Sequence, residues 1–190
     1  RHPMVTAQMA ATLARLSRGR LTLSLGKGIG RLMEKAGISQ SETAVAECIE
    51  MIREMMAGRR VTYQGEAFHL DGVKLRTLPP EVPVPIFQAV TNPGAWPAAM
   101  KTADGVVTFW NPHMTRQTCK IKPEGPLSTA ALVPFSLTLP DFFPFRLSRL
   151  AELESAVKQM EDCGMDEAII AYGTLGDLAA AGQLTRTTNE

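Results

Sequence analysis

The chain reads as an α/β protein built on a parallel sheet covered on both faces. Two observations predict this. Short apolar runs that do not alternate with polar residues, such as LTLSL (21–25), VVTFW (106–110) and EAIIAY (167–172), recur between helical patterns, and strands buried on both faces belong to parallel sheets. The first run also leads directly into Gly26, Gly28 and Gly30. A buried strand whose C-terminal end opens into glycines is half of a βα unit, with its loop on the functional side of the sheet.

The elements follow in order. Met4–Leu16 carries Met4, Val5, Met9, Leu13 and Leu16 on a broad helical face with alanines between, and these five are expected to form the core side. SRGR (17–20) stops the helix, and 21–25 is the first strand. After the glycines, 31–36 has room for a short helical turn stopped by Gly37. Ser41 with Thr43 opens a longer helix to about Ala57, with Val45, Cys48, Ile49, Ile52, Met55 and Met56 inward. Glu42, Glu47, Glu50 and Glu54 are expected in water, with Glu50 able to pair with Arg53. Gly58 suits the helix end.

Val61–Tyr63 and Ala67–Leu70 flank Gln64-Gly65-Glu66 as a hairpin or extended excursion. A Pro-rich link from Leu78 to Pro85 precedes a strand at 86–90. Thr91-Asn92-Pro93-Gly94 is a turn, followed by a short helix over 95–101 that tolerates Pro97 only in its first turn. Strand 106–110 leads to a polar stretch over 111–128 without clear period. A strand over 130–139 is interrupted at Pro134, and PDFFP (140–144) makes a tight connection. An amphipathic helix over 146–163 has Leu147, Leu150, Leu153, Val157 and Met160 on one face, and 167–172 is a last strand. The expected organisation is one domain over 1–190, with an excursion at 58–80 and a frayed tail at 182–190.

Composition narrows function. The 190 residues are 45% hydrophobic and 21% charged, which is ordinary globular usage. Lys plus Arg number 20 and Asp plus Glu 19, so a net charge of +1 points to neither nucleic acid nor an anionic membrane. No apolar run approaches the length of a spanning helix. Cys48, Cys119 and Cys163, far apart and without a CxxC pair, read as reduced thiols of a cytoplasmic protein. The chain opens on Arg1, inside a helical pattern, and the expectation is that something precedes it.

Two stretches could carry chemistry. Gly26-Lys27-Gly28-Ile29-Gly30 either makes a tight turn or lets backbone N–H groups approach a ring edge or a phosphate with no Cβ in the way. It is not the dinucleotide fingerprint, because Arg31 stands where the last glycine would be. Thr91-Asn92-Pro93-Gly94-Ala95 is either an ordinary Asx-Pro turn with Asn92 as helix cap, or a phosphate cradle between strand and helix. His69 and His113 lack partners at ligand spacing, so no metal is expected. Ser17, Ser24 and Ser39 lack a nucleophile-elbow context. Trp96 and Trp110 suit packing better than a cofactor wall, and Lys120 and Lys122 read as solvated.

The runs HPxxxAxxxAxLxxLSxGRxxLxLGxGxG (2–30), GRRVTYQGEAFHL (58–70) and VPIFQAVTNPGAWPAAMKTADGVV (84–107) resemble the luciferase-like superfamily of flavin- and deazaflavin-dependent oxidoreductases, which includes methylenetetrahydromethanopterin reductase-like members. AVKQMEDCGMDEAIIAY (156–172) resembles its last helix and strand more loosely. The resemblance implies a (β/α)8 TIM-barrel fold with the cofactor at the C-terminal mouth. It is incomplete here, since five candidate strands stand against the eight of a closed barrel and the family's first three strands would precede Arg1. It implies hydride transfer or monooxygenation on a small-molecule substrate, with reduced deazaflavin favoured over FMN. The implied cofactor-binding residues are Gly26, Lys27, Gly28, Gly30, Thr91, Asn92, Pro93, Gly94 and Ala95, the last five replacing a turn usually richer in glycine. Glu34 matches an acidic position after the glycine loop and reads as a solvated or loop-fixing carboxylate rather than a catalytic one; His2 lies in an R-H-P turn and reads as fixing a loop near the cofactor rather than as an acid–base catalyst. The chemistry would belong to the cofactor, so no nucleophile is expected and no catalytic residue is assigned. The alternative is a non-catalytic remnant or cofactor-binding module without a closed site. Homodimerisation, or association through an open sheet edge, is the expected mode of self-contact.

Overall fold

The computed structural model describes residues 1–28, 30–38, 41–90, 93–109, 128–135, 149–163 and 165–172. Its elements are α1 (Pro3–Leu16), β1 (Leu23–Leu25), α2 (Gly30–Lys35), α3 (Glu42–Met56), β2 (Val61–Gln64), β3 (His69–Val73), β4 (Ile86–Ala89), a 3-10 turn (Pro93–Ala95), α4 (Trp96–Ala99), β5 (Gly105–Phe109), β6 (Ser128–Phe135), α5 (Leu150–Asp162) and β7 (Glu167–Tyr172). Two compact units divide them, one of Arg1–Ala89 with Trp96–Gly105, the other of Val90–Ala95 with Val106–Glu190.

In the first unit β1 and β4 pair in parallel, Leu23 opposite Ile86 and Leu25 opposite Gln88. Ile86, Phe87 and Gln88 are all buried, the two-sided burial that the non-alternating sequence implies. Strand β1 begins at Leu23 rather than Leu21, because the turn takes more chain. Arg18 and Gly19 both adopt left-handed backbone there, at φ 53 and 81. Asp104 fixes the start of β4. Its Oδ2 accepts from the Ile86 N–H at 2.8 Å and pairs with Arg53 at 2.8 Å. The expected Glu50–Arg53 pair gives way to this contact, and Glu50 instead accepts from the Tyr63 hydroxyl at 2.9 Å.

Helix α1 departs from the sequence reading. Met4, Val5, Met9, Leu13 and Leu16, expected inward, are 40–74% exposed. Pro3, Ala7, Ala10, Ala11 and Ala14 are buried instead, and the helix packs on α3. Small side chains let two helix axes approach closely, and the contact is made by backbone and Cβ atoms rather than by the bulkiest residues. Helix α3 buries Val45, Ile49, Ile52, Met55 and Met56 of its expected core face, leaves Cys48 half-buried, and buries Met51 in addition. Ser41 caps it by accepting from the Ala44 N–H at 3.0 Å. Gly58, at φ 77, follows its end as a left-handed stop. Strands β2 and β3 form an antiparallel ribbon with an irregularity between Val61 and Tyr63.

In the second unit β6 lies between β5 and β7 and pairs in parallel with β7 from Ala130–Glu167 to Phe135–Tyr172. The expected interruption at Pro134 does not occur: Pro134 pairs with Ala171 and the strand ends one residue later. Helix α5 packs on β6 and buries Leu153, Ala156 and Met160. Glu152 accepts from the Arg149 N–H at 3.2 Å and pairs with its guanidinium, closing the first turn. Cys163 is disulfide-bonded, unlike the reduced thiol expected, whereas Cys48 is free. The readings at Ser39, Trp110, His113, Cys119, Lys120, Lys122, Leu147, 140–144 and 182–190 fall outside the described residues. Among the described helices none is long and apolar enough to cross a membrane.

Candidate cofactor cleft

The C-terminal end of β1 opens into a cleft of about 730 Å3 within the first unit. Its floor is Leu23 to Lys27; its walls come from the N-terminus of α1 (His2, Thr6), the first turns of α3 (Ser41, Ala44, Val45, Cys48) and the hairpin tip (Ala67, Phe68). A cleft beyond the carboxyl ends of parallel strands is the usual ligand position of α/β folds.

Gly26 follows β1 and packs against Ala89 of β4. A Cβ placed there would lie 2.9 Å from the Ala89 Cβ, tighter than two carbons tolerate. Its backbone therefore faces the cleft with no side chain over it. Lys27 brings a cation to the same floor. Gly28 turns the chain at φ 81. Gly30 starts α2, and nothing lies within 4 Å of the space its Cβ would occupy. Glu34 is exposed on α2 and does not line this cleft.

His2 caps α1, its Nδ1 accepting from the Met4 N–H at 3.2 Å. An accepting Nδ1 carries no proton, which leaves Nε2 as the N–H of the ring. The ring stands edge-on to Phe68, centroids 6.0 Å apart and planes at 85°, an arrangement aromatic pairs favour. This realises the loop-fixing role expected of His2. Cys48 is half-buried in the wall, and burial raises its thiol pKa, which leaves it a poor nucleophile at neutral pH.

The residue the sequence reading missed is Glu47. Expected in water, it is 6% exposed. Its carboxylate accepts from the N–H groups of Glu66 (2.6 Å), Ala67 (3.0 Å) and Phe68 (3.1 Å). Gly65 leaves the space for it: a Cβ there would overlap the carboxylate and lie 2.6 Å from Tyr63 Cε1. Helical period alone places Glu47 beside the solvated glutamates. The one local hint was Gly65 in the tip, which carried no address for its partner. Next to it, burial and the Glu50 carboxylate push the Tyr63 hydroxyl up to about 12, so it remains a donor.

The second expected stretch is described only in part. Thr91 and Asn92, with the Asn92 cap, lie outside the described residues. Pro93–Ala95 is a 3-10 turn running into a four-residue α4, shorter than the helix expected over 95–101. One helical turn has little macrodipole, so any anion there would rely on backbone N–H groups. Trp96 is fully buried, the packing role expected of it. Among the described residues no three His, Cys, Asp or Glu side chains gather as a metal site.

Comparison with known proteins agrees with this geometry. The family model for luciferase-like monooxygenases matches residues 1–119. An F420-dependent glucose-6-phosphate dehydrogenase of Nakamurella multipartita is 33% identical over 112 residues, 56% of this chain and 33% of that protein. An F420-dependent hydroxymycolic acid dehydrogenase of Mycobacterium tuberculosis is 36% identical over 110 residues, 55% of this chain and 30% of that protein. The chain thus spans about a third of the length of the curated relatives it matches. Among solved structures, the F420-dependent tetrahydromethanopterin reductase of Methanopyrus kandleri superposes with a TM-score of 0.73 at 15% identity, covering 95% of this chain and 77% of that one. An F420-dependent secondary alcohol dehydrogenase gives 0.68 at 17% identity, over 95% and 72%. The fold is therefore the TIM-barrel type of these enzymes. The described residues hold two parallel-sheet strands in one unit and three sheet strands in the other, fewer than the eight of a closed barrel. By the match over residues 1–119 and the fold that carries it, this chain belongs to the luciferase-like monooxygenase family.

Proposed function

We propose that this protein is an oxidoreductase that binds a deazaflavin coenzyme of the F420 type, with FMN as the alternative, in the cleft at the end of β1, and acts on a small-molecule substrate. The cleft itself carries the reading: a side-chain-free floor at Gly26, a cation at Lys27, and apolar walls from Val45, Ala67 and Phe68 suit a flat ring with an anionic tail. The F420-dependent relatives favour deazaflavin. When bound, the coenzyme supplies or accepts the hydride. The chain's own part in the cleft is to seat the ring against backbone at Gly26, Gly28 and Gly30 and to keep water out with Phe68 and the α3 wall. Separately, on the family resemblance, Thr91–Ala95 serves as a phosphate-binding turn. His2 presents an N–H donor fixed by its cap.

Titration with oxidised and reduced F420 and, in parallel, FMN tests this by fluorescence quenching with light scattering. Saturable binding is expected, weakened about tenfold or more by Lys27→Glu, which replaces the cation of the cleft floor by a carboxylate. No binding by a well-folded chain refutes the reading and leaves the non-catalytic module.

Three further points belong to the proposal. The protein associates as a homodimer or through an open sheet edge, and light scattering reads its mass. It works in the cytoplasm, and fractionation of the source cells should recover it in the cytoplasmic fraction. Residues 1–190 form one partial barrel domain with an excursion at 58–80 and a frayed end at 182–190, and limited proteolysis should cut first at that end.

A further inference from the structure

We propose that Glu47 is a positioning residue for the cleft: its carboxylate clamps the hairpin tip so that Ala67 and Phe68 stand as a fixed wall, and the rigidity of that wall sets how tightly, and which, flat ring is held. The inference rests on the cofactor reading above. Three observations carry it. A carboxylate that is 6% exposed survives burial only when its lone pairs are filled, and three consecutive backbone donors fill them. The β2–β3 ribbon has strands of four and five residues with an irregularity between Val61 and Tyr63. A ribbon of that size does not hold its own tip in place, so the tether from α3 decides where the tip sits. Two of the three clamped residues, Ala67 and Phe68, line the cleft, and Phe68 stands edge-on to the His2 ring. Within the tip the Gly65 N–H also donates to the Phe68 carbonyl at 2.9 Å, which closes the turn but does not join it to α3. The other side-chain ties of the ribbon lie elsewhere. Tyr63 reaches Glu50, and Arg60 donates to the Gly72 carbonyl at 2.6 Å. Neither touches residues 66–68.

The test compares the full chain with Glu47→Gln, Glu47→Asp and, as control, Tyr63→Phe. Cys48 lines the same cleft as a free thiol, so its alkylation by iodoacetamide, read by peptide mass spectrometry, reports the wall without any cofactor. Fluorescence titration gives the F420 and FMN affinities of each variant. Glu47→Gln is expected to speed Cys48 alkylation about tenfold and to weaken F420 binding by a similar factor, the scale of a lost charge-assisted hydrogen bond. It should also narrow the difference between F420 and FMN. Glu47→Asp should fall between, and Tyr63→Phe should match the parent. A folded Glu47→Gln protein with a lower melting temperature but unchanged alkylation and unchanged affinity ratio would make Glu47 purely structural and overturn the proposal. If the parent binds neither ring, the cofactor reading fails alone, and the alkylation rates still decide the clamp. Should the variants not fold, hydrogen exchange in the parent decides: slow exchange of the Glu66, Ala67 and Phe68 amides supports the clamp, and exchange at the rate of an open loop refutes it.

Discussion

Two substitutions on α1 separate the sequence pattern from the packing. Leu13 is 48% exposed, and Ala11 is 1% exposed against α3. Full burial of a leucine side chain is worth about 1.5–3 kcal/mol, so Leu13→Ala removes about 1 kcal/mol, with no cavity term because the site opens to solvent. If the apolar face were core, the same change would cost about 2–5 kcal/mol. Ala11→Leu forces a branched side chain between two helices whose contact depends on small residues, and overpacking of this kind costs about 1–3 kcal/mol. The expected order is therefore the reverse of hydropathy: the alanine matters more than the leucine. Urea unfolding followed by far-UV circular dichroism, extrapolated linearly, gives both values. Two protein concentrations keep self-association apart from folding, because a dimer's midpoint depends on concentration and loss of a dimer contact by Leu13→Ala weakens that dependence. A Leu13→Ala loss above about 2 kcal/mol at both concentrations, or a neutral Ala11→Leu, would refute the packing described for α1.

Asp104→Asn removes the charge that pairs with Arg53 and weakens acceptance of the Ile86 N–H; a loss of about 1–3 kcal/mol is expected in the same unfolding assay. Ser41→Ala removes the α3 cap and should cost about 1 kcal/mol, with reduced amide protection confined to the first turn. The Tyr63 hydroxyl is raised from its ordinary value of 10.0 to about 12 in the fold. Its contribution is thus fully present below pH 10 and is lost as pH rises from 10 to 12. Melting temperature against pH should show that alkaline loss, and Tyr63→Phe should flatten it.

The order of elements was legible because each depends on near neighbours in the chain. Val45, Ile49 and Ile52 recur at helical spacing. Ser41 and Gly58 mark the ends of α3 by side-chain acceptance and left-handed backbone, both local effects. IFQA in β4 is buried without alternation from Ile86 to Gln88 because both faces are covered. Gly26, Lys27 and the cleft end of β1 were legible for the same reason: a glycine run after a buried strand marks a loop at the sheet's carboxyl edge.

What escaped the sequence are the contacts between elements. Hydropathy ranks leucine and methionine above alanine, yet it cannot say which side of α1 another helix will approach, and close approach selects for size rather than greasiness. Arg53 prefers Asp104, 51 residues away, to Glu50 three residues away, because Asp104 also holds the Ile86 N–H. Glu47 looked like its solvated neighbours until the hairpin folded over it. By itself the sequence determined the strands, the helices and the family they serve, through short-range periodicity, capping and motif. Only the tertiary structure decided which face of α1 is core and which glutamate is buried in the cleft wall, because burial and hydrogen-bond partnership are set by residues distant in the chain.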